Sequence, residues 1–420
     1  MTDPEAEKKE NDKLKRGKFV IHSKHRVITP DHSSADCNKY KPIAFFSEDT
    51  HYSIIKGTSI CSITTFAEEG NRIYPNQCPI SHDGVWPDEV PSHNINHDDP
   101  KSGTIKVDDL EKLVDFFLER GYPIFIVLNQ GSTWKGAYDD IPAVDAMLKR
   151  LGIKYPWLWE REIEYTSNGQ KLIDKRRGFW VHVDGALGAA YLPFLRMAKT
   201  RGELPNVNVP EFDFSIDAVM SIVCSIHKWI GAPWPGGIYM TKEKYQISPP
   251  DTAGYIGSPD TTLGGSRNAF TPMLYWKYFA KKGYSENIKR ALETERVAAL
   301  FESELRKLEA ELKLTDPEAD LWIHRSELSL AILFRMVNPD ITYEFTVDSE
   351  RIQVPFEESG QQYSQYRTYA HIYSMTSLGE YGLVNQLIGR IREACKQGWK
   401  NAFPDQVDGQ PNPSDAKLIE

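Results

Sequence analysis

Three short stretches place residues capable of chemistry just past apolar runs. In Val181-His182-Val183-Asp184-Gly185-Ala186 a carboxylate follows a strand-like segment. A carboxylate so placed is poorly solvated and needs a partner. One such partner is a cationic ring nitrogen, whose protonated form the aspartate charge favours. Another is the backbone of a following helix, which Asp184 would cap. The small residues 185 and 186 let a flat ring approach the backbone. In Ser225-Ile226-His227-Lys228-Trp229 a lysine ends a second strand. An ordinary lysine amine, with a pKa of about 10.4, is a poor nucleophile at neutral pH. Burial or a nearby cation lowers that value and opens carbonyl chemistry. Ser225 and His227 carry donors suited to a phosphate, and the plain alternative is a surface lysine on a loop. In Ser47-Glu48-Asp49-Thr50-His51-Tyr52-Ser53 the His51 imidazole can stack on an aromatic ring or sit beside a helix cap.

These residues need a scaffold that gathers strand ends. Ile43–Phe46, Pro123–Leu128, Trp180–Val183, Ala218–Val223 and Gly237–Met240 read as strands. Helices are expected over Val107–Arg120, where Leu110, Leu113, Val114 and Phe117 recur at helical spacing before Gly121, and over Pro142–Leu151. Strands alternating with helices predict an α/β protein with a mixed, mostly parallel sheet. Ligands bind such sheets at the carboxyl ends of the strands, where all three stretches lie. Residues 83–103 read as a loop, and 157–177 as an inserted hairpin or loop around the Ser167-Asn168-Gly169 turn. After residue 280 the pattern becomes α+β. It runs from a long amphipathic helix over Ser285–Leu314, through strands at Glu327–Met336 and Arg367–Met375, to a helix at Tyr381–Lys400. The expected division is a polar arm (1–40), a large domain (41–280), a small domain (281–402) and a disordered tail (403–420).

The chain has 420 residues, 40% hydrophobic and 11% aromatic, enough for a large core. Fifty Lys and Arg against 59 Asp and Glu give a net charge of −9, which argues against a general nucleic-acid binder. No apolar run nears the roughly 18 residues of a membrane span. The opening MTDPEAEKKENDKLKR is too charged for a secretory signal. Five cysteines without a CxxC pair favour neither a disulfide framework nor a zinc ribbon. A cytoplasmic protein is expected.

The three stretches taken together are far more specific than any one. Lys228, Asp184 and His51 match the requirements of pyridoxal 5′-phosphate (PLP), an electron sink that needs a Schiff-base lysine, a partner for its ring nitrogen and a cover for its ring face. The chain resembles the group II PLP-dependent amino-acid decarboxylases of fold-type I, in the branch of the bacterial histidine decarboxylases and plant serine decarboxylases. The resemblance rests on FFSEDTHYSI (45–54), GSTWKGAYDDI (131–141), WVHVDGALGAAYLPF (180–194), FDFSIDAVMSIVCSIHKWIGAPWPGGI (212–238) and YIGSPDTTLGGSRNAF (255–270). It implies a seven-stranded aminotransferase-type large domain and a small C-terminal domain. It implies that Lys228 is the Schiff-base lysine, that Asp184 is the pyridine-nitrogen aspartate, that Ala186 lies against the ring and that His51 stacks on it. Ser225 and His227 match phosphate contacts, and Ser132 or Thr133 a position near the ring oxygen or the aspartate. Tyr255 and Ser266 match a stretch near the active site, sometimes that of the neighbouring subunit.

The resemblance further implies decarboxylation of an L-amino acid in a dimer. Aldol cleavage, transamination and oxidative decarboxylation share the same contacts. Family members carry a Gly-Thr-Glu-Gly-like phosphate-binding turn upstream of the SEDTHYS stretch. Here 46 residues precede Ser47, with Gly17 as their one glycine. The expectation is therefore a homodimer, a heterodimer with a chain that supplies this part, or a non-catalytic partner subunit. No metal is expected. His93 and His97, four apart before Asp98-Asp99, would pair on a helix, but the surrounding prolines and asparagines oppose one. Gly236-Gly237 and Gly264-Gly265 read as turns, and the Lys/Glu face of the 285–314 helix as solvated.

Overall fold

The computed structural model describes residues 38–96, 99–167, 170–245, 251–252, 259–260, 268–358, 361–375, 381–404 and 417–418. The expected alternation is present. In the first half strands β1 (Ile43–Phe45), β2 (Thr64–Thr65), β3 (Ile124–Asn129), β4 (Arg161–Ser167), β5 (Gln170–Arg176), β6 (Phe179–Asp184), β7 (Val219–Ser225) and β8 (Gly237–Thr241) follow in chain order. Helices α1 (Tyr52–Ile60), α2 (Phe66–Ile73), α3 (Val107–Glu119), α4 (Ile141–Lys154) and α5 (Gly188–Thr200) lie between them.

Six of these strands form one sheet in the order β2-β1-β3-β6-β7-β8. All neighbours are parallel except β7 and β8. Six strands are thus found among the described residues where the resemblance implies seven. β3 is buried along nearly its whole length, as a parallel strand covered on both faces must be. Leu110, Leu113, Val114 and Phe117 of α3 are fully buried against it. Each such side chain contributes roughly 1.5–3 kcal/mol over an exposed one. β4 and β5 pair with each other as an antiparallel hairpin, the insertion read at 157–177.

The second half continues with β9 (Asp251–Thr252) and β10 (Pro259–Asp260), a short antiparallel pair, then helix α6 (Phe270–Lys281) and the 30-residue helix α7 (Tyr284–Lys313). β11 (Ala331–Arg335), helix α8 (Pro339–Phe345), β12 (Asp348–Glu358), β13 (Gln361–Tyr373), helices α9 (Tyr381–Cys395) and α10 (Trp399–Ala402) and β14 (Lys417–Leu418) complete it. A second sheet runs β11-β13-β12, with β14 also on β13. Helix α7 joins the two halves. Ile288, Ala291 and Leu292 pack into the core of the first sheet, while Val297, Phe301, Leu305 and Leu308 pack into that of the second.

Several elements differ from expectation. The strand expected at Arg367–Met375 is the end of the longer β13, whose partner β12 was not anticipated although Ile352, Val354 and Phe356 alternate along it around Pro355. The helix expected to run to Lys400 breaks after Cys395 and resumes at Trp399, with Gly398 at φ +113° between them. Asn38, read as part of the arm, is buried and donates to the Arg120 carbonyl at 2.9 Å. Phe403, read as the start of the tail, is fully buried, while residues 405–416 and 1–37 lie outside the described residues. Among the described residues no helix is long and apolar enough to cross a membrane.

Candidate active site

Parallel neighbours bring three strand ends into line. Asn129 at the end of β3 pairs with Asp184 at the end of β6, and Asp184 pairs with Val223 of β7. The chain after each strand then turns over the carboxyl edge of the sheet. Asp184 Oδ1 accepts from the Ala186 amide at 3.1 Å, and the Ser225 amide donates to the Ala186 carbonyl at 3.0 Å. Asp184 therefore holds its own turn; helix α5 has no side-chain cap. The small size of Gly185 has a packing cause. A Cβ there would stand 2.5 Å from Ala189 Cβ and 3.1 Å from the Val223 carbonyl. This close approach of strand end to helix, rather than room for a ring, requires the glycine.

Lys228 lies in the turn after β7. Burial pushes its amine below the ordinary lysine value, while Asp184 and Cys224 oppose that shift by favouring the ammonium. The effect is a larger neutral, nucleophilic fraction at a given pH. His51 stands immediately before α1 and caps it, its Nδ1 accepting from the Ser53 amide at 3.3 Å. Burial and the Lys228 charge push its pKa down, against the pull of Asp184. The ring is thus both a cap and a member of the cluster. His182, one turn of the pleat below Asp184, is held at 2.8 Å by the Ser221 hydroxyl and is also shifted down by burial.

The structure brings together Lys228, Asp184, His51, Ala186 and Ser225. The Ser225 hydroxyl makes no hydrogen bond within the described residues. His227 is exposed, and the Gly236 amide donates to its Nδ1 at 3.3 Å. Ser132 is buried with its hydroxyl accepting from the Ala137 amide at 3.1 Å, so it closes its own turn. Thr133 lines a cleft of about 720 Å³ beside His51, with Asp49, Trp134, Lys135 and Glu350. Tyr255 and Ser266 lie outside the described residues. So do His97 and Asp98, and among the described residues no group of three or more His, Cys, Asp or Glu could hold a metal. A second cleft, of about 760 Å³, opens at the opposite ends of the strands, by Pro42, Pro123 and Gly178.

Sequence reading missed the polar layer beneath this cluster. Asn129 Nδ2 donates to Thr50 Oγ1 at 3.0 Å and to Ser47 Oγ at 3.2 Å, tying the His51 turn to β3. The buried Asp139 accepts from the amides of Asn129 (2.6 Å) and Ile105 (2.7 Å), and burial pushes its carboxyl up to about 7. Lys135 and Asp49 form a buried ion pair at 2.8 Å. One signal was available for Asn129: like Asp184, it is the first polar residue after an apolar strand.

Residues 90–321 match the family model described as the pyridoxal-dependent decarboxylase conserved domain. The chain belongs to this family. The pyridoxal-dependent decarboxylase relatives include the histidine decarboxylase of Mesorhizobium japonicum, 30% identical over 264 residues, 63% of this chain and 53% of that protein. Serine decarboxylase 1 of Oryza sativa subsp. japonica is 26% identical over 242 residues, 58% of this chain and 37% of that protein. The chain spans about half the length, or less, of these curated relatives. Among solved structures, the L-methionine decarboxylase of Streptomyces sp. 590 superposes with a TM-score of 0.75 at 37% identity, covering 90% of this chain and 75% of that one. The glutamate decarboxylase of Lactobacillus brevis shares the fold, with a TM-score of 0.56 at 17% identity. The fold of the chain is therefore that of its family. The cluster also fits the cofactor: an amine of lowered pKa, a strand-end carboxylate and a free serine hydroxyl converge on one edge of the sheet.

Proposed function

We propose that the chain removes the α-carboxylate of an L-amino acid, giving the amine and carbon dioxide, with PLP held on Lys228. The observation that carries this reading is the convergence of Lys228, Asp184 and His51 on one sheet edge in a chain of this family. When bound, PLP supplies the sink for the electron pair left as carbon dioxide departs. Lys228 offers the amine that anchors it. Asp184 keeps a proton on the ring nitrogen, since its negative charge favours the cationic ring. His51, with its pKa lowered, presents a neutral imidazole at neutral pH. The Ser225 hydroxyl and His227 would meet the phosphate.

Carbon dioxide release from a panel of L-amino acids that includes histidine, serine and methionine tests the reading. Turnover of one of them is expected. Lys228→Ala should abolish it, and Asp184→Ala should lower it by at least about a thousandfold, roughly 4 kcal/mol of barrier. Formation of a carbonyl product or peroxide without release of the amine would favour transamination or oxidation instead.

The same reading includes a dimer in the cytoplasm. Helix α6 has no buried residue and exposes Phe270, Met273, Trp276 and Phe279, an apolar surface suited to a second chain. That second chain is another copy. Cys61, Cys78, Cys224 and Cys395 are free thiols, in keeping with a reducing compartment.

A further inference from the structure

The turn that carries Lys228 is gripped from outside the sheet. Its backbone closes on itself, with the Gly231 amide on the Lys228 carbonyl and the Ala232 amide on the Ile226 carbonyl, each at 2.9 Å. Gly231 adopts φ +78°, which a side chain would strain. The two carbonyls that follow Lys228 point instead at helix α7. There the Arg290 guanidinium donates to the Trp229 carbonyl and, at 3.3 Å, to that of Ile230. Its Cζ lies 4.4 Å from the centre of the Trp229 ring. Trp229 is itself buried, with its indole N–H donating to Thr294 Oγ1 one helical turn further along α7 at 3.2 Å.

Arg290 is in turn held. Its Nη1 donates to the Tyr278 hydroxyl at 2.7 Å, and that hydroxyl donates to Asn287 Oδ1 at 2.6 Å. Asn287 is buried and donates to the carbonyls of Lys282 (3.0 Å) and Gly283 (3.1 Å). A continuous chain of polar contacts thus runs from the start of α7 to the peptide next to Lys228. The bidentate fork of a guanidinium matches this task, and a lysine ammonium cannot both bridge two carbonyls and stack on the indole.

We infer that Arg290 is the positioning residue for Lys228, fixing the Trp229–Ile230 peptide so that the amine stays inside the site. This rests on the reading of Lys228 as the cofactor-anchoring amine, but its test requires neither cofactor nor turnover. Lys228 is faced by Asp184 from β6, Cys224 from β7 and His51 from the turn before α1. None of these is altered by changing Arg290. If the turn loosens, Lys228 gains water and its titration moves up toward that of a free lysine.

The experiment is competitive acetylation of the full chain without PLP across pH, read at the Lys228 peptide by mass spectrometry against exposed lysines such as Lys199. In the unaltered chain the Lys228 midpoint should lie below those of the exposed lysines. Arg290→Met should raise it by about one pH unit, a tenfold loss of neutral amine at pH 8. Arg290→Lys, which keeps the charge but not the fork, should raise it nearly as far. Tyr278→Phe, which removes one hydroxyl, should raise it less; it also keeps the test open if the arginine variants fail to fold. An unchanged midpoint in folded Arg290→Met overturns the inference. So does a midpoint restored in Arg290→Lys, because the effect would then be one of charge alone. Carbon dioxide release by the unaltered chain stands or falls separately, so failure here and failure of the decarboxylase reading are distinguishable.

Discussion

At the scale of single residues, environment decides what each group can do. Lys228 and His51 are both pushed down by burial, so each has a larger neutral fraction at a given pH than its exposed counterpart, one as a nucleophile and one as a flat uncharged ring. His371 shows the same physics away from the cluster. It is buried on β13, lies against Trp134 (4.8 Å between ring centres) and Tyr373 (4.4 Å), and its Nε2 has no partner among the described residues. Burial pushes its pKa down to about 4. An unfolded histidine titrates near 6.5. Below that pH the unfolded chain takes up a proton that the folded chain refuses, so stability falls as pH drops from about 6.5 toward 4 and is unaffected above. The full effect is on the order of 3 kcal/mol. Urea unfolding of His371→Phe and of the unaltered chain should therefore diverge in the variant's favour between pH 7 and pH 4. Parallel curves would show that His371 is solvated in the folded state. Lys228, Asp184 and His51 were legible because each lies in a short stretch of telling residue types at or just past an apolar run. Arg290 was not, because a charged residue on a long helix reads as solvated, and its partner Trp229 lies 61 positions away.

At the scale of elements, legibility followed the strength of the apolar period. β3, β6 and β7 are nearly continuous apolar runs, and α3 carries a clean helical repeat, so their places were readable to within a few residues. Helix α1 (YSIIKGTSI) was not, since Gly57, Thr58 and Ser59 weaken it and only Thr58 is buried. Helix α2 did announce itself, through the Thr65/Glu68 capping box, a signal that was passed over. β12 and β13 pair over eleven residues, but Pro355 interrupts the alternation of β12, and the polar start of β13 (QQYSQY) hides its first half. Their fold matters to the site. The Tyr373 hydroxyl donates to the Thr133 carbonyl, and Gly136, at φ +64°, packs against Ser329 and Ala331. The loop 131–137 that frames the cleft beside His51 is thus shaped by elements some 200 residues further along the chain. No local pattern carries that information.

At the scale of the whole molecule, two apolar cores share one long helix, and the site lies on the carboxyl edge of the larger sheet. α7 serves the first core with its opening turns, the second with the rest, and the Lys228 turn with Arg290, which lies between Ile288 and Ala291 in those opening turns. The apolar face of α6 predicts association. Light scattering at micromolar concentration should give about 96 kDa for a dimer of the 48.0 kDa chain, and a stable 48 kDa species would count against a homodimer. The reading proposed above requires that Lys228 anchor PLP in this chain. Incubation of the full chain with PLP, borohydride reduction and peptide mapping by mass spectrometry test it most directly. One reduced pyridoxyl group is expected on the peptide containing Lys228, lost in Lys228→Ala and diminished in Asp184→Ala. Label confined to other lysines, or no label at all, would contradict it.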